Sequence, residues 1–375
     1  MTAEASNPPS PRHDSFPAES GHSTPSSSSS SLEPSSPTTP QQDTQLGKKQ
    51  LTQEAIYWID RLAKEGQPEA QFIRGTWYES GLYGFKRNPD KAIRWYQSAS
   101  KGDWGPAQYK FACYCEGKKD NNKAVMHYKK AAIHNDANAN QRLAMVYLHG
   151  DLGQSKNMKA GLQYLKRAAS LATESAPKAP YILGLILCRE YQLAIPDDIA
   201  FPDDSESLEW IRKSAQLGYS AANYKLGYCY EYGCLGCPVD PFLSIQHYER
   251  AVLAADESNG EAEMALSGWY LSGAENYFLA DDQLAFQYAS LAAEKKLPKA
   301  QYAMGYYHEV GISVPVDMDK AMEFYRLAAA DGNKDAITRL EKHEEQKAAD
   351  DMSHRSNVQR MKQDRRAKNQ SCNIM

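Results

Sequence analysis

An internal repeat constrains the fold of this chain more than any other feature of its sequence. Each copy begins with an alanine, followed by a small residue five positions later, usually an aromatic residue eight positions later, and often a glycine eleven positions later. Seven copies start at Ala70, Ala107, Ala139, Ala179, Ala222, Ala262 and Ala300, and successive starts lie 32 to 43 residues apart. Repeats of this length bury their apolar faces on one another, so the pattern predicts a stacked array.

Each repeat is predicted to form two helices. Offsets 0, 4, 8 and 11 from the first alanine fall on one face at 100° per residue, and the small residue at offset 5 lies beside that face. A small side chain there allows a neighbouring helix to approach closely, and glycine at offset 11 can end the helix in the left-handed region. Second helices are predicted over 90–100 in the first repeat and 319–330 in the last. The expected fold is all-α, an α-solenoid of helix-turn-helix repeats.

The chain divides into three regions by composition. Residues 1–48 form a Ser/Pro-rich tail, with 13 Ser and 8 Pro in the first 40 positions, and are expected to be disordered because they have too little apolar surface to bury. Residues 49–340 contain the solenoid, with 53–64 predicted as an unpaired second helix at its front and 336–340 as the start of a terminal helix. Residues 341–375 form a basic tail, also expected to be disordered.

The charge balance and hydropathy exclude two classes of protein. Lys and Arg total 43 against 47 Asp and Glu, which gives a formal net charge of −4. Nucleic-acid binding through bulk charge requires a basic face, so no nucleic-acid partner is predicted. The sequence also has neither an apolar stretch long enough for a membrane span nor an apolar segment after Met1 that would indicate a secretory signal.

Candidate catalytic and metal-binding residues are few. The sequence has no phosphate-binding loop, no Gly-x-Gly-x-x-Gly and no zincin pair. Cys229, Cys234 and Cys237 are closely spaced but lack a fourth ligand, as a closed zinc site requires. His127 and His247 take second-helix positions and are interpreted as packing residues. We therefore predict no catalytic residue, no metal and no cofactor.

Aromatic residues recur on the face of each first helix that lies opposite the packing face. Offsets 2 and 6 lie near 200° and 240° from the first alanine, and tyrosine is frequent there. Such a surface is a candidate partner groove because aromatic side chains often anchor protein interfaces. The alternative is that these rings only pack within the array. The groove candidates are Phe72, Tyr109, Tyr181, Tyr224, Tyr228, Tyr302 and Tyr306.

The last four residues match a prenylation box. Cys372 is followed by Asn373, Ile374 and Met375, and a terminal Met favours farnesyl over geranylgeranyl. In this interpretation a prenyltransferase modifies the Cys372 thiolate. Asn373 is a non-aliphatic residue at a position where the pattern is loose.

A basic run precedes the box and supplies a second membrane signal. A single lipid chain binds membrane only marginally, and basic residues near anionic lipids add about 1 kcal/mol each. A nuclear-localisation or nucleic-acid tail is the alternative interpretation, and it leaves Cys372 unexplained. The basic residues are Arg355, Arg360, Lys362, Arg365, Arg366 and Lys368.

The repeat spacing resembles the Sel1-like repeats, relatives of tetratricopeptide repeats. Together with the prenylation box, several stretches are similar to the fungal chitin synthase activators, also called chitin synthase regulatory factors. Those stretches are 148–153, 237–241, 244–245, 264–275 and 299–303. The resemblance implies a non-catalytic subunit that binds the membrane-embedded synthase at the cytoplasmic face and raises its activity or positions it at septum and growth sites. It also assigns the lipidated cysteine of that family to Cys372.

Two other functions are compatible with the same sequence features. A generic Sel1 scaffold in signalling or protein quality control would have the same repeats but no effect on chitin. An enzyme would need a nucleophile and a base brought together across repeats, and the sequence indicates neither.

Overall fold

The computed structural model describes residues 40–254, 260–275 and 277–372, with side chains described from Lys49 to Lys362 within these ranges. Two compact units are distinguished, Met1–Ala55 and Ile56–Met375. The described part of the first unit is helical. The second unit contains the repeat array.

Within the described ranges, the regular structure is helical, apart from a single bridge between Ala274 and Phe278. The helices are α1 (Pro40–Lys64), α2 (Pro68–Ser80), α3 (Pro89–Lys101), α4 (Gly105–Gly117), α5 (Asn121–Ile133), α6 (Ala137–His149), α7 (Met158–Ser170), α8 (Lys178–Leu187), α9 (Asp204–Gln216), α10 (Ser220–Tyr232), α11 (Pro241–Leu253), α12 (Glu261–Ser272), α13 (Asp282–Glu294), α14 (Pro298–Val310), α15 (Met318–Ala330) and α16 (Lys334–Cys372).

The helices pair as the repeat predicts. From α2 to α15, each even-numbered helix packs on the next one to form a repeat, and each odd-numbered helix packs on the first helix of the following repeat. The alanines that start the copies are buried at the centre of these contacts. The predicted α-solenoid of seven helix-turn-helix repeats is confirmed.

Close approach at offset 5 is also confirmed. At Gly227 an added Cβ would lie 2.6 Å from two ring carbons of Tyr248, and at Gly75 it would lie 2.5 Å from a ring carbon of Tyr96. A tyrosine of the second helix therefore lies directly on the bare backbone of the first helix. Gly233 ends α10 in the left-handed region, as expected for a glycine at offset 11.

The second helices share an N-terminal cap that explains where they begin. In all seven repeats an Asn or Asp side chain accepts a hydrogen bond from the backbone N–H three residues later, as Asp281 does from Leu284. This bond satisfies a donor that the first helical turn leaves without a partner. The capping residues are Asn88, Asp120, Asn157, Asp203, Asp240, Asp281 and Asp317.

The terminal segments differ from the sequence expectation in their extent. Helix α1 begins at Pro40, inside the region expected to be a disordered tail, and its last turns contribute the buried Ala63 to the front of the array. Helix α16 begins near the predicted position but continues to Cys372. No Gly or Pro interrupts the segment from Lys334 to Cys372, so local helix propensity favours a helix although its described side chains beyond residue 343 are all exposed.

Candidate functional site

Clusters of one carboxylate, one tyrosine and one cation connect successive repeats. At the second repeat, the Tyr128 hydroxyl donates to Glu116 at 2.7 Å, and Arg142 of the next repeat donates to the same carboxylate through Nε at 3.1 Å. The side chains of Arg142 and Glu116 are 29% and 28% exposed, and Tyr128 is buried. We call this arrangement an inter-repeat cluster.

The same positions form this cluster at two other junctions. Glu79 accepts from Tyr96 at 2.6 Å and from Lys110 at 3.0 Å. Glu309 accepts from Tyr325 at 2.7 Å and from Arg339. In each case the carboxylate is at offset 9 and the cation lies three residues after the starting alanine of the next helix.

Hydrogen bonds within the inter-repeat clusters lower the pKa of the carboxylates. Burial alone would raise the pKa of Glu116, but the hydrogen bonds from Arg142 and Tyr128 outweigh it and lower the pKa below the usual range. Glu79 shows the same balance, with burial opposed by Tyr96 and Lys110. The carboxylates are therefore held in their charged form.

A fourth junction keeps the ion pair without the tyrosine. Lys225 donates to both oxygens of Glu190 at 2.6 and 2.7 Å, and its Nζ lies 5.1 Å from the ring centroid of Tyr228. The ammonium group is thus held by a carboxylate and by an aromatic face at the same time.

The junction between the fifth and sixth repeats contains the carboxylate and tyrosine, but alanine replaces the cation. Glu231 accepts from the Tyr248 hydroxyl at 2.6 Å, and the neighbouring Glu231 carboxylate raises the pKa of Tyr232 to about 12. The position that Lys110 and Arg142 take at other junctions is Ala265. Within the described residues no Lys, Arg or His nitrogen lies within ion-pair distance of the Glu231 carboxylate.

A cavity of about 550 Å³ opens at this junction. We call it the tyrosine pocket. Tyr228 and Tyr232 stand beside each other with ring centroids 4.6 Å apart, and they are 38% and 59% exposed. The pocket is lined by Tyr224, Tyr228, Glu231, Tyr232, Tyr248, Glu261, Met264, Ala265, Gly268, Trp269, Ser272 and Lys299.

The structure brings two of the seven groove candidates into the tyrosine pocket, Tyr224 and Tyr228. The offset-2 rings pack on aromatic rings nearby, with centroid distances of 5.3 to 5.9 Å, and are half-buried. Those rings are Phe72, Tyr109, Tyr181, Tyr224 and Tyr302. Tyr306, at offset 6, is exposed like Tyr228 but lies outside the pocket.

The histidines and cysteines considered from the sequence are packed in the array. His127 and His247 contact the buried side-chain oxygens of Gln108 and Asn223 through Nδ1, at 2.6 and 3.1 Å, and burial lowers the pKa of His247 to about 4. Cys229 is buried, which raises its pKa to about 12. Among the described residues no group of three or more His, Cys, Asp or Glu side chains is arranged to hold a metal ion.

The C-terminal signals are described only in part. Arg355, Arg360 and Lys362 are exposed on α16. Arg365, Arg366 and Lys368 belong to the same helix, and Cys372 is its last residue, but their side chains lie outside the described set. The rest of the predicted prenylation box, Asn373, Ile374 and Met375, also lies outside the described residues. In the described part of the chain, no helix combines the length and apolarity needed to cross a bilayer.

The sequence is similar to proteins that are named as regulators of chitin synthase. The chain is 40% identical over 278 residues to Chitin synthase regulatory factor 3 of Schizosaccharomyces pombe, covering 73% of this chain and 29% of that protein. It is 31% identical over 299 residues to Chitin synthase regulator SKT5 of Saccharomyces cerevisiae, covering 78% of this chain and 42% of that protein. The chain thus spans less than half the length of these relatives. The resemblance to the chitin synthase regulatory factors that the sequence indicated is confirmed.

The repeats themselves match a family model and a solved structure. The structure is a protective antigen of uropathogenic Escherichia coli with an SLR fold, at a TM-score of 0.59 and 22% identity, covering 76% of this chain and 58% of that one; it supports the fold alone. The Sel1 repeat model matches residues 68–103, 105–136, 137–172, 181–219, 220–256, 260–297 and 298–333. Because these matches cover well over half of the sequence, the chain belongs to the Sel1 repeat family.

Proposed function

We propose that this protein is a non-catalytic activator or adaptor of a membrane chitin synthase and acts in fungal cell-wall and septum chitin synthesis. The observation that carries the proposal is the 40% identity over 278 residues to a protein named as a chitin synthase regulatory factor. The repeat array is the part of the chain that can present a binding surface to the synthase.

The contact with the synthase is assigned to the repeat surface. Solenoids bind partners through side chains that successive repeats place side by side. The tyrosine pocket is such a surface here, since Tyr228 and Tyr232 expose aromatic area next to a carboxylate. Exposed aromatic side chains of this kind often dominate the binding free energy of an interface.

Membrane attachment is the second part of the proposal. A prenyltransferase adds a farnesyl group to Cys372, and the basic residues of α16 contact anionic lipids on the cytoplasmic face of the plasma membrane, at the septum or growth site. The exposure of Arg355, Arg360 and Lys362 supports this arrangement. One lipid chain gives only marginal binding, so the basic residues supply the additional attraction. Attachment then raises the concentration of the repeat array near the synthase.

The experiment measures chitin synthase activity and cell-wall chitin in cells of the organism that makes this protein. The cells carry the wild-type gene, a deletion of that gene, or the Cys372→Ser variant. We expect deletion to lower both quantities. We expect Cys372→Ser to release the protein from membranes and to lower activity in part or completely. Met375→Leu is the matched control, because it alters the same box but retains a prenylation signal.

Two results would contradict separate parts of the proposal, the activator function and the lipid anchor. Unchanged synthase activity and chitin after deletion reject the activator function and favour a Sel1 scaffold with another partner. Membrane retention of Cys372→Ser rejects the lipid anchor and leaves the activator function standing.

A further inference from the structure

We propose that the tyrosine pocket receives one Lys or Arg side chain from the bound partner, which supplies the cation that the inter-repeat cluster lacks at Ala265. The proposal rests on the function proposed above in one respect, since it names the chemistry by which the repeat surface recognises its partner segment. This junction differs from the other junctions of the same array in three respects: its charge, its aromatic lining and its size.

The pocket has the correct charge for such a side chain. Glu231 keeps its hydroxyl donor, Tyr248, but within the described residues it has no ion-pair partner. Glu261 also lines the pocket, and Lys299 is the single ammonium group among the lining residues. A carboxylate without an ion-pair partner at the wall of the pocket favours a cationic ligand.

The aromatic lining favours the same ligand. Tyr228, Tyr232 and Trp269 expose ring surface to the pocket, and ring faces attract ammonium and guanidinium groups. The chain already shows this geometry within itself, because Lys225 lies between the Glu190 carboxylate and the ring of Tyr228. A partner cation beside Glu231 would have an equivalent pair of contacts.

The size of the pocket agrees with an entering side chain. At the junction between the second and third repeats, Arg142 fills the space beside Glu116. At the junction between the fifth and sixth repeats, Ala265 ends at Cβ, and a cavity of about 550 Å³ lies in front of it. The junction between the sixth and seventh repeats also has an alanine at this position, Ala303, but Leu271 replaces the carboxylate there. An alanine opposite a carboxylate is therefore specific to the tyrosine pocket within the described repeats.

The first experiment uses the full chain and two synthetic peptides, acetyl-Gly-Ser-Gly-Arg-Gly-Ser-Gly-amide and the same peptide with citrulline in place of arginine. Citrulline keeps the shape of arginine without its charge. We expect the arginine peptide to bind the wild type at least tenfold more tightly by calorimetry or saturation-transfer NMR. We expect Glu231→Gln to remove that preference.

Ala265→Arg is the decisive variant, because it supplies the cation from within the chain. It should reduce binding of the arginine peptide at least tenfold, and Ala303→Arg, the matched control, should bind as the wild type does. Circular dichroism and melting temperature establish that each variant is folded. Equal binding of the arginine and citrulline peptides to the wild type overturns the proposal, as does undiminished arginine binding by Ala265→Arg.

A second measurement separates this inference from the proposed function. Ala265→Arg should lower association with the synthase in source cells at least tenfold, whereas Ala303→Arg should not. If deletion lowers chitin but the wild type shows no preference for arginine, the cation site is rejected and the activator function stands. If the preference is found but deletion leaves chitin unchanged, the activator function is rejected and the cation site stands.

Discussion

Two junctions between neighbouring repeats differ at one position of an otherwise equivalent cluster. Between the second and third repeats, Glu116 is bound by Tyr128 and Arg142. Between the fifth and sixth, Glu231 is bound by Tyr248, but Ala265 takes the place of the arginine. The first cluster connects two repeats, whereas the second leaves a carboxylate at the wall of a pocket. The proposed cation site therefore occupies the junction that lacks the internal cation, while the equivalent junction is closed by its own arginine.

The largest expected effect concerns two glycines of the repeats that flank the tyrosine pocket. An added Cβ at Gly227 would lie 2.6 Å from the Tyr248 ring, whereas at Gly268 it would meet no atom within 4 Å. We expect Gly227→Ala to lower the free energy of unfolding by about 1–3 kcal/mol through overpacking. Gly268→Ala is the control and should raise it by about 0.5–1 kcal/mol, because alanine favours the helix. Urea unfolding followed by circular dichroism measures both, and equal effects would show that the two sides of the pocket are packed alike.

The second prediction compares the carboxylates themselves. Glu116→Gln loses an ion pair that is about 70% shielded from solvent, whereas Glu231→Gln loses none among the described contacts. We expect Glu116→Gln to lower the free energy of unfolding by about 1 kcal/mol and Glu231→Gln to change it by less than about half as much. Equal losses in urea unfolding would mean that the ion pair with Arg142 contributes nothing to the free energy of unfolding.

The same pair predicts a dependence on pH. The pKa of Glu116 is lowered in the folded protein from its ordinary value of 4.5. Its contribution to stability is therefore fully present above about pH 4.5 and is lost as the pH falls through the folded pKa. Glu116→Gln should remove this part of the acid-induced loss of stability, and an identical acid profile in the variant would contradict the assignment.

Part of this arrangement was predictable from sequence because it depends on local spacing. Helices, close-packed glycines and the shared face of Tyr224 and Tyr228 all follow from 100° per residue within one helix. Whether a ring on that face is exposed does not follow from this rule. Tyr224 packs on Tyr248, with centroids 5.6 Å apart, since the second helix of its own repeat folds back beside it.

The inter-repeat clusters were missed because they join residues that are 26 to 31 positions apart at the first, second and seventh repeats. Their geometry depends on how one repeat stacks on the next, which a single helical wheel does not contain. A signal was nevertheless present. Glutamate recurs at offset 9, and Lys or Arg follows three residues into the next helix at Lys110, Arg142 and Arg339. Aligning both positions would have singled out Ala265 as the exception.

The smallest change in stability is expected when the Glu231 junction is converted into one that resembles the Glu116 junction. Ala265→Arg places a guanidinium group where Arg142 stands relative to Glu116, so it should form the missing ion pair with Glu231. Partly exposed pairs of this kind contribute about 0.5 kcal/mol, and salt weakens them. We expect a correspondingly small rise in the free energy of unfolding at low ionic strength, which 1 M NaCl removes. For Ala303→Arg, Leu271 takes the position equivalent to Glu231, so this variant should produce no rise. A rise of the same size in both variants would mean that the added arginine stabilises α12 and α14 through other contacts, and the carboxylate of Glu231 would then have no part in it.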